Sequence, residues 1–294
     1  MINFRYHVVS IIGIFIALVV GVVLGAGPLQ RSINAGMNPS SSQAASDPVL
    51  SAQAEAEAAG LKALASSTLA GSLTGTSVAL VVLPGASDDD VSAIRSTLTD
   101  AGASVVGRVT LTDNWQSTSM SQYRTTLATT LASHLQSGAA KTASADGVVG
   151  YSIVQVLTST GAETDLLRQI LTDKSTPLMT IDEDPAGKAT TLVAVGARAQ
   201  STTSTQASVA ASSDAWIGLG LAVGSTSGVV VGDASSREAM ISQIRTSGTA
   251  VTTVDSVGTT LASVDTALAL STASSGARAF GVGNGAQSVI PSSK

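Results

Sequence analysis

The feature that most constrains this chain is a long uncharged stretch near its amino terminus. Residues 6–30 carry no formally charged side chain and lie between Arg5 and Arg31. At about 1.5 Å per residue, a helix of that length exceeds the roughly 30 Å hydrocarbon core of a bilayer. The sequence therefore predicts a transmembrane signal anchor at residues 8–28.

A cleaved signal peptide is the alternative interpretation of this stretch. Its apolar region is usually shorter, and Pro28 directly follows the nearest small-residue site. The tail at residues 1–7 is short, which favours an amino terminus that stays in the cytoplasm. We therefore expect a single-pass protein of the plasma membrane with its carboxyl-terminal domain outside the cytoplasm.

Small residues recur at every fourth position of the predicted span, at Gly13, Ala17, Gly21 and Gly25. Four residues advance about 400° around a helix, so these positions share one face. Small side chains let two helix backbones approach closely in lipid, although Gly and Ala are also common in membrane helices generally. The pattern predicts a helix-dimer face and hence a homodimer.

Residues 29–73 are predicted to be a linker followed by a helical stalk. Asp47 and Pro48 form a typical helix start, with Asp as the N-cap and Pro at the first helical position. A heptad register includes Leu50, Leu61 and Leu64, but a coiled coil needs more sustained apolar positions. Pairing of two stalks as a coiled coil and a single unpaired helix both remain open.

The composition limits what the chain can bind. Of 294 residues, 15 are Lys or Arg and 20 are Asp or Glu, which gives a formal net charge of -5. No cluster of basic residues is available to neutralise phosphates, so nucleic acid is not expected as a partner. Because there is no cysteine, thiolate nucleophiles and metal–thiolate sites are excluded.

Residues 74–290 are predicted to form an extracytoplasmic α/β domain. A short apolar run at 78–83, a helical pattern at 88–100 and a second strand at 104–111 form a parallel βαβ unit. A similar unit recurs late in the chain: strand 228–231, helix 236–246 and strand 250–254. The pattern indicates a Rossmann-like parallel sheet, either as one sheet or as two related halves.

Further elements are predicted between these two units. They are helices at 122–136 and 165–173, strands at 178–181 and 191–195, and a buried helix at 216–225. The last of these is apolar but too short to cross a membrane. We therefore expect a single membrane span in the whole chain.

Four polar or glycine-rich segments are candidates for chemistry. Asp88, Asp89 and Asp90 could hold a hard cation, but Asp88 as a helix N-cap with two further acids in the first turn is the favoured interpretation. The loop 232–238 lacks the glycine pattern that binds pyrophosphate. The triplet 182–184 before Pro185 is predicted to be a solvated acidic turn. The glycines at 281–285 are predicted to lie in a flexible or tightly turned tail without a preceding strand.

The residues that bind soft metals or act as bases are few. The histidines are His7 at the membrane edge and His134, for which a role at a helix carboxyl terminus is favoured over a base or a metal ligand. The five methionines are far apart in the sequence, at positions 1, 37, 120, 179 and 240. We therefore predict no catalytic, cofactor-binding or metal-binding residues, and no enzymatic activity.

Several segments together resemble the actinobacterial MctB copper-transporter family over nearly the whole chain. They are FRYHVVSIIGIFIALVVGVVLGAGPL, VALVVLPGASDDDVSAIRSTLTDAGASVVGRVTL, VVVGD, TTVDSVGTTLASVDTALALS and ARAFGVGNGAQSVIP. The resemblance implies copper efflux or homeostasis in the cell envelope of mycobacteria and corynebacteria. The stalk is less charged and less Leu-rich than is usual in the family, and Ala279 stands where relatives often carry a histidine.

Closely similar proteins, called SteB, imply a different role. They are described as partners of the membrane protein SteA in daughter-cell separation, through control of peptidoglycan hydrolases. The leading functional hypothesis is therefore a non-enzymatic, dimeric scaffold with a SteA-like partner and a peptidoglycan hydrolase or its regulator. Copper efflux or homeostasis of the MctB type is the alternative.

Overall fold

The structure is a computed structural model that describes residues 48–199, 210–272 and 276–291. The predicted span at 8–28, with Gly13, Ala17, Gly21 and Gly25, lies outside the described residues. Within the described ranges, no helix combines the length and the apolar composition that crossing a membrane requires.

The predicted stalk contains helix α1, Pro48–Leu69. Leu50 and Leu64 are largely exposed on this helix. Leu61, by contrast, is partly buried and packs against an apolar cluster that also includes the buried Ala65 and Leu69. The pairing of stalks through Leu50, Leu61 and Leu64 stays a prediction.

The strands of the α/β domain form one seven-stranded sheet. They are β1 Ser77–Val82, β2 Ser104–Leu111, β3 Met179–Glu183, β4 Thr191–Val195, β5 Val229–Val231, β6 Thr252–Val254 and β7 Arg278–Phe280. Their order is β3-β2-β1-β4-β5-β6-β7, and every pair is parallel except β2 with the antiparallel β3. The predicted α/β class with a Rossmann-like parallel sheet is confirmed, as one sheet.

The remaining helices cover both faces of this sheet. They are α2 Asp88–Asp100, α3 Asp113–Gln116, α4 Ser121–His134, α5 Gly138–Lys141, α6 Ala145–Thr158, α7 Ala162–Leu171, α8 Ser213–Gly224, α9 Met240–Thr246 and α10 Thr260–Ser271, with a short 3₁₀ turn at Thr118–Met120. The predicted buried helix at 216–225 corresponds to α8. Helices α6 and α10 were not predicted.

Alternate residues of β1 explain how the two faces are covered. Val78, Leu80 and Val82 face a core shared with α1, α2 and α10. Ala79 and Val81 face the opposite core, which includes apolar residues of α4, α6, α8 and α9. Because side chains of a strand point alternately to opposite faces, one continuous apolar run fills both cores.

The acidic triplet 182–184 was predicted to be a solvated turn; its residues are exposed as predicted, but the turn is wrong. Its first two residues belong to the edge strand β3. Each carboxylate pairs with an arginine of a different element: Asp182 with Arg108, Glu183 with Arg95 and Asp184 with Arg168. The charges therefore attach the antiparallel edge strand to its surroundings, a role that a local sequence pattern cannot show.

Candidate functional site

The strand order identifies where this fold would bind a ligand. Open parallel sheets bind ligands beyond the carboxyl ends of their strands, at the point where the strand order reverses. Here that point lies between β1 and β4, and the loops that follow β5, β6 and β7 reach the same edge of the sheet. We call this edge, from the loop after β1 to the loop after β7, the carboxyl edge.

The acidic residues at the start of α2 lie at this reversal point. Ser87, and not the predicted Asp88, is the N-cap: its side chain accepts a hydrogen bond from the Asp89 N–H. Asp88 instead pairs with Arg108, with a distance of 2.6 Å between Oδ1 and Nη2. Asp90 is buried, which the favoured sequence interpretation did not include.

Arg198, in the loop after β4, neutralises Asp90. Its Nε and Nη2 donate hydrogen bonds of 2.8 and 2.6 Å to the two carboxylate oxygens of Asp90. A Cβ atom built on Gly258 would lie 2.4 Å from Nε of Arg198, so the guanidinium needs a glycine there. The pair joins the loop after β4, the start of α2 and the loop before α10, and leaves Asp90 unavailable as a metal ligand.

A second buried carboxylate, Asp255, ends strand β6. Four groups donate to it: the Ser256 hydroxyl at 2.7 Å, the Val282 N–H at 2.8 Å, the Gly283 N–H at 3.0 Å and Nη1 of Arg245 at 2.9 Å. Gly281 has a φ of +121°, and a Cβ there would lie 2.1 Å from Oδ1 of Asp255. Residues 281–285, which we call the glycine loop, therefore form a nest of backbone N–H groups around the protein's own carboxylate.

This arrangement confirms the tightly turned alternative for residues 281–285 and corrects the expectation that no strand precedes them. Strand β7 directly precedes them, although no strand was predicted there. Arg245 fixes the loop further, since it donates to the backbone oxygens of Phe280 and Asn284, each at 2.8 Å. The segment is thus a tightly bonded turn at the carboxyl edge.

The charges of the Arg245–Asp255 pair follow from these contacts. Burial alone would raise the pKa of Asp255, but the hydrogen bonds from Ser256, Val282, Arg245 and Gly283 lower it below its ordinary value. Burial lowers the pKa of Arg245 against the effect of Asp255. An arginine starts so high that it stays protonated, so we treat both groups as charged.

A third buried carboxylate, Asp265, lies in the middle of α10. Its side chain is fully buried, and neither oxygen has a hydrogen-bond partner among the described residues. Two causes raise the pKa of Asp265 to about 7: burial, which is the larger, and the negative charge of Asp255. Sequence reasoning missed this residue, and the available signal was one acid in the apolar run Thr260–Ser271.

Residues of the loops after β4 to β7 line an open cleft of about 630 Å³ at the carboxyl edge. The polar side chains that line it are engaged with one another or with the backbone. The Ser235 hydroxyl donates to Asp233, the Ser256 hydroxyl donates to Asp255, and the Asn284 amide donates to the Ala234 oxygen. The cleft is thus held in shape by its own polar groups.

The described residues that could bind a soft metal are His134, Met120 in the 3₁₀ turn, Met179 in β3 and Met240 in α9. His134 is in the last turn of α4 as predicted, and its Nδ1 lies 2.5 Å from Oε2 of Glu163. Met179 is fully buried, and Met240 fills the space beside Gly196 and Gly232. Among the described residues, no group of three or more His, Cys, Asp or Glu side chains could hold a metal ion.

Comparison with known proteins places the chain in one family. The family model described as copper transport outer membrane protein, MctB, matches residues 1–291. No curated protein matches the chain. The match covers the predicted anchor, the stalk and the α/β domain alike, while the more specific resemblance to SteB-type proteins is not confirmed.

Proposed function

The chain belongs to the MctB family, and from this premise we propose that it is a non-enzymatic envelope protein that serves copper transport by binding another protein. The observation that carries the proposal is the whole-chain match to a family described by copper transport in an outer membrane. The α/β domain is then the part that recognises the partner.

The donor atoms of the domain do not fit copper as a cargo. Copper(I) is bound by groups of Cys, Met or His side chains. The chain has no cysteine, His134 is engaged with Glu163, and Met179 lies fully in the core. Met120 and Met240 belong to two different elements, the 3₁₀ turn and α9. We therefore assign the described domain no copper-coordinating step.

The pairing of charges at the carboxyl edge supports recognition in preference to catalysis. Asp90 is neutralised by Arg198, and Asp255 by Arg245 and two backbone N–H groups. A general base or nucleophile needs a free group within reach of a substrate. The buried charges here instead join neighbouring loops, as expected for a rigid scaffold.

We propose that residues 8–28 anchor the protein in the plasma membrane by a single pass, with the α/β domain outside the cytoplasm. A homodimer through Gly13, Ala17, Gly21 and Gly25 belongs to the same proposal. The family description supports an envelope location. It does not support the predicted role in cell separation with a SteA-like protein and a peptidoglycan hydrolase, so we do not extend the proposal to that role.

Copper tolerance and copper binding test this proposal together. A deletion strain is complemented with the wild type or with a quadruple variant, His134→Gln, Met120→Leu, Met179→Leu and Met240→Leu. We expect the quadruple variant to restore copper tolerance fully, and its purified full chain to keep the Cu(I) stoichiometry of the wild type in competition with a chromogenic chelator. Met→Leu conserves side-chain volume, so the core should tolerate it.

A matched variant distinguishes copper binding by the α/β domain from copper binding by the amino-terminal region. His7→Gln with Met37→Leu removes the same kinds of ligand outside the described residues. Loss of a copper equivalent in the quadruple variant alone would show that the domain carries copper. A deletion strain with normal copper tolerance would refute the copper-transport proposal itself.

A further inference from the structure

A groove of about 280 Å³ lies between helices α1, α2 and α10, on one face of the sheet. Its floor is apolar and nearly inaccessible to water, and is formed by Ala65, Leu69, Ile94, Ala101, Ala262 and Val264. It shares no lining residue with the cleft at the carboxyl edge.

The groove exists because small side chains stand where three helices meet. Ala65 belongs to α1, Ala93 lies in the middle of α2, and Ala262 lies in the first turn of α10; all three line the groove. Helices pack about 8–10 Å apart when their facing side chains interdigitate, and alanines leave space that larger residues would fill. Two polar residues, Ser263 and Asp90, are also buried in the lining, and Asp90 is already bound to Arg198.

Acidic side chains dominate the rim of the groove. Asp89 and Asp100 are exposed on α2, and neither forms an ion pair with any described residue. The cations that line the groove are Lys62, which is exposed, and Arg198, which is already bound to Asp90. The rim therefore presents two carboxylates that a basic partner could bind.

Asp100 has one contact within its own helix, a 3.5 Å hydrogen bond that the Ser96 hydroxyl donates to its Oδ2, but its charge is unfavourable at this end of the helix. It is the last residue of α2, where the unsatisfied carbonyl groups carry a partial negative charge. A carboxylate there is unfavourable, and no basic residue lies in that last turn. Asp89, in the first turn, has the sign that the helix dipole favours, so Asp100 is the residue that calls for another explanation.

We propose that this groove binds a basic amphipathic segment of a partner protein. One apolar side chain of the partner enters the floor, and Lys or Arg side chains on either side of it reach Asp89 and Asp100. The two aspartates are eleven positions apart on α2, which corresponds to about 16 Å along the helix axis. The inference rests on the proposed recognition function and identifies its surface and the chemistry of its partner.

Site-specific photo-crosslinking in the native host tests the proposal on the full membrane-anchored chain. A photoreactive phenylalanine analogue replaces the exposed Ala93 in the groove or, as a control, the exposed Ala162 on α7. We expect an adduct at position 93 only, on a partner segment in which Lys or Arg flanks apolar residues. The double change Asp89→Asn and Asp100→Asn should reduce the adduct at least tenfold, whereas Asp165→Asn on α7 should leave it unchanged.

Other occupants give distinguishable results that overturn the proposal. These results are an adduct with a second copy of this chain, an adduct with lipid, an acidic partner segment, or no adduct at position 93. Copper tolerance of the same strains separates this proposal from the proposed function. If the double variant loses the adduct but keeps full tolerance, the groove is supported and its link to copper transport fails.

Discussion

Asp255 and Asp265 are both fully buried and only ten positions apart, yet their surroundings are opposite. Asp255 ends strand β6 and receives four hydrogen bonds, one of them from Arg245. Asp265 lies inside α10 and receives none from the described residues. The comparison shows that the donors around a buried carboxylate, more than its burial, decide whether it carries its charge.

The two residues therefore affect stability in opposite directions with pH. The pKa of Asp255 is lowered in the folded state, so its contribution is present above its unfolded value and is lost as the pH falls below about 4. The pKa of Asp265 is raised to about 7. The folded state then binds the extra proton, and stability falls as the pH rises from about 4 to about 7.

The largest expected effect on stability comes from removing Arg245, the cation that neutralises Asp255. Arg245→Met removes the cation and leaves the Asp255 charge buried without its partner. Such a change costs about 3–5 kcal/mol, because an uncompensated charge remains in the interior. Urea unfolding of the full chain in detergent, followed by circular dichroism, measures the free energy of unfolding.

Arg237→Met is the matched control for this change, since Arg237 is exposed just before α9. We expect it to alter the free energy of unfolding by no more than about 0.5 kcal/mol. Equal stability of the two variants would contradict the assigned role of Arg245 in holding the glycine loop.

The second prediction concerns Asp265, the buried carboxylate that receives no hydrogen bond from the described residues. Asp265→Asn removes the titration, and Asp265→Leu also removes the buried polar group. We expect wild-type stability to fall by about 2–4 kcal/mol between about pH 4 and about pH 7, and both variants to lose this dependence. Above about pH 7, Asp265→Leu should be more stable than the wild type.

Unfolding free energies measured across this range test the prediction. The titration of Asp255 lies at lower pH and does not overlap it. A pH dependence that persists in Asp265→Asn would assign the effect to another group and would overturn the unpartnered state of this carboxylate.

Sequence patterns predicted the parts of the fold that depend on local order. The apolar run that forms β1 is buried on both faces, and it predicted a parallel sheet because such runs occur where helices cover both sides. Helix α2 was predicted from apolar residues at helical spacing. The repeat of this unit at β5, α9 and β6 was found in the same way.

Two helices and one strand were missed for a common physical reason. Helices α6 and α10 are buried on nearly every side, so their sequences show no polar face and no helical period. Strand β7 has three residues, too few for an alternating pattern. Short or fully buried elements form because the surrounding structure packs against them, and a local window does not include those surroundings.

The site was less predictable than the fold because its partners are distant in sequence. Arg198 lies 108 positions from Asp90, and Val282 lies 27 positions from Asp255. Local patterns predicted a capping Asp88, which is wrong, and left a flexible and a tightly turned tail both open, of which the structure has the tight turn. Asp265 carried one usable signal, since an acid within a long apolar segment is costly unless it is paired or protonated.

The smallest expected effect extends the comparison to an exposed carboxylate. Asp100→Asn removes a negative charge from the carboxyl end of α2, so it should stabilise the free protein by about 0.3–1 kcal/mol at low salt, and by less at high salt. Asp89→Asn removes a charge that the helix dipole favours, and should destabilise by a similar amount. Thermal melts of the full chain at two salt concentrations measure both. A loss of stability in Asp100→Asn would show that the hydrogen bond from Ser96 outweighs the unfavourable helix dipole, which would remove the main reason to reserve this carboxylate for a basic segment of another protein.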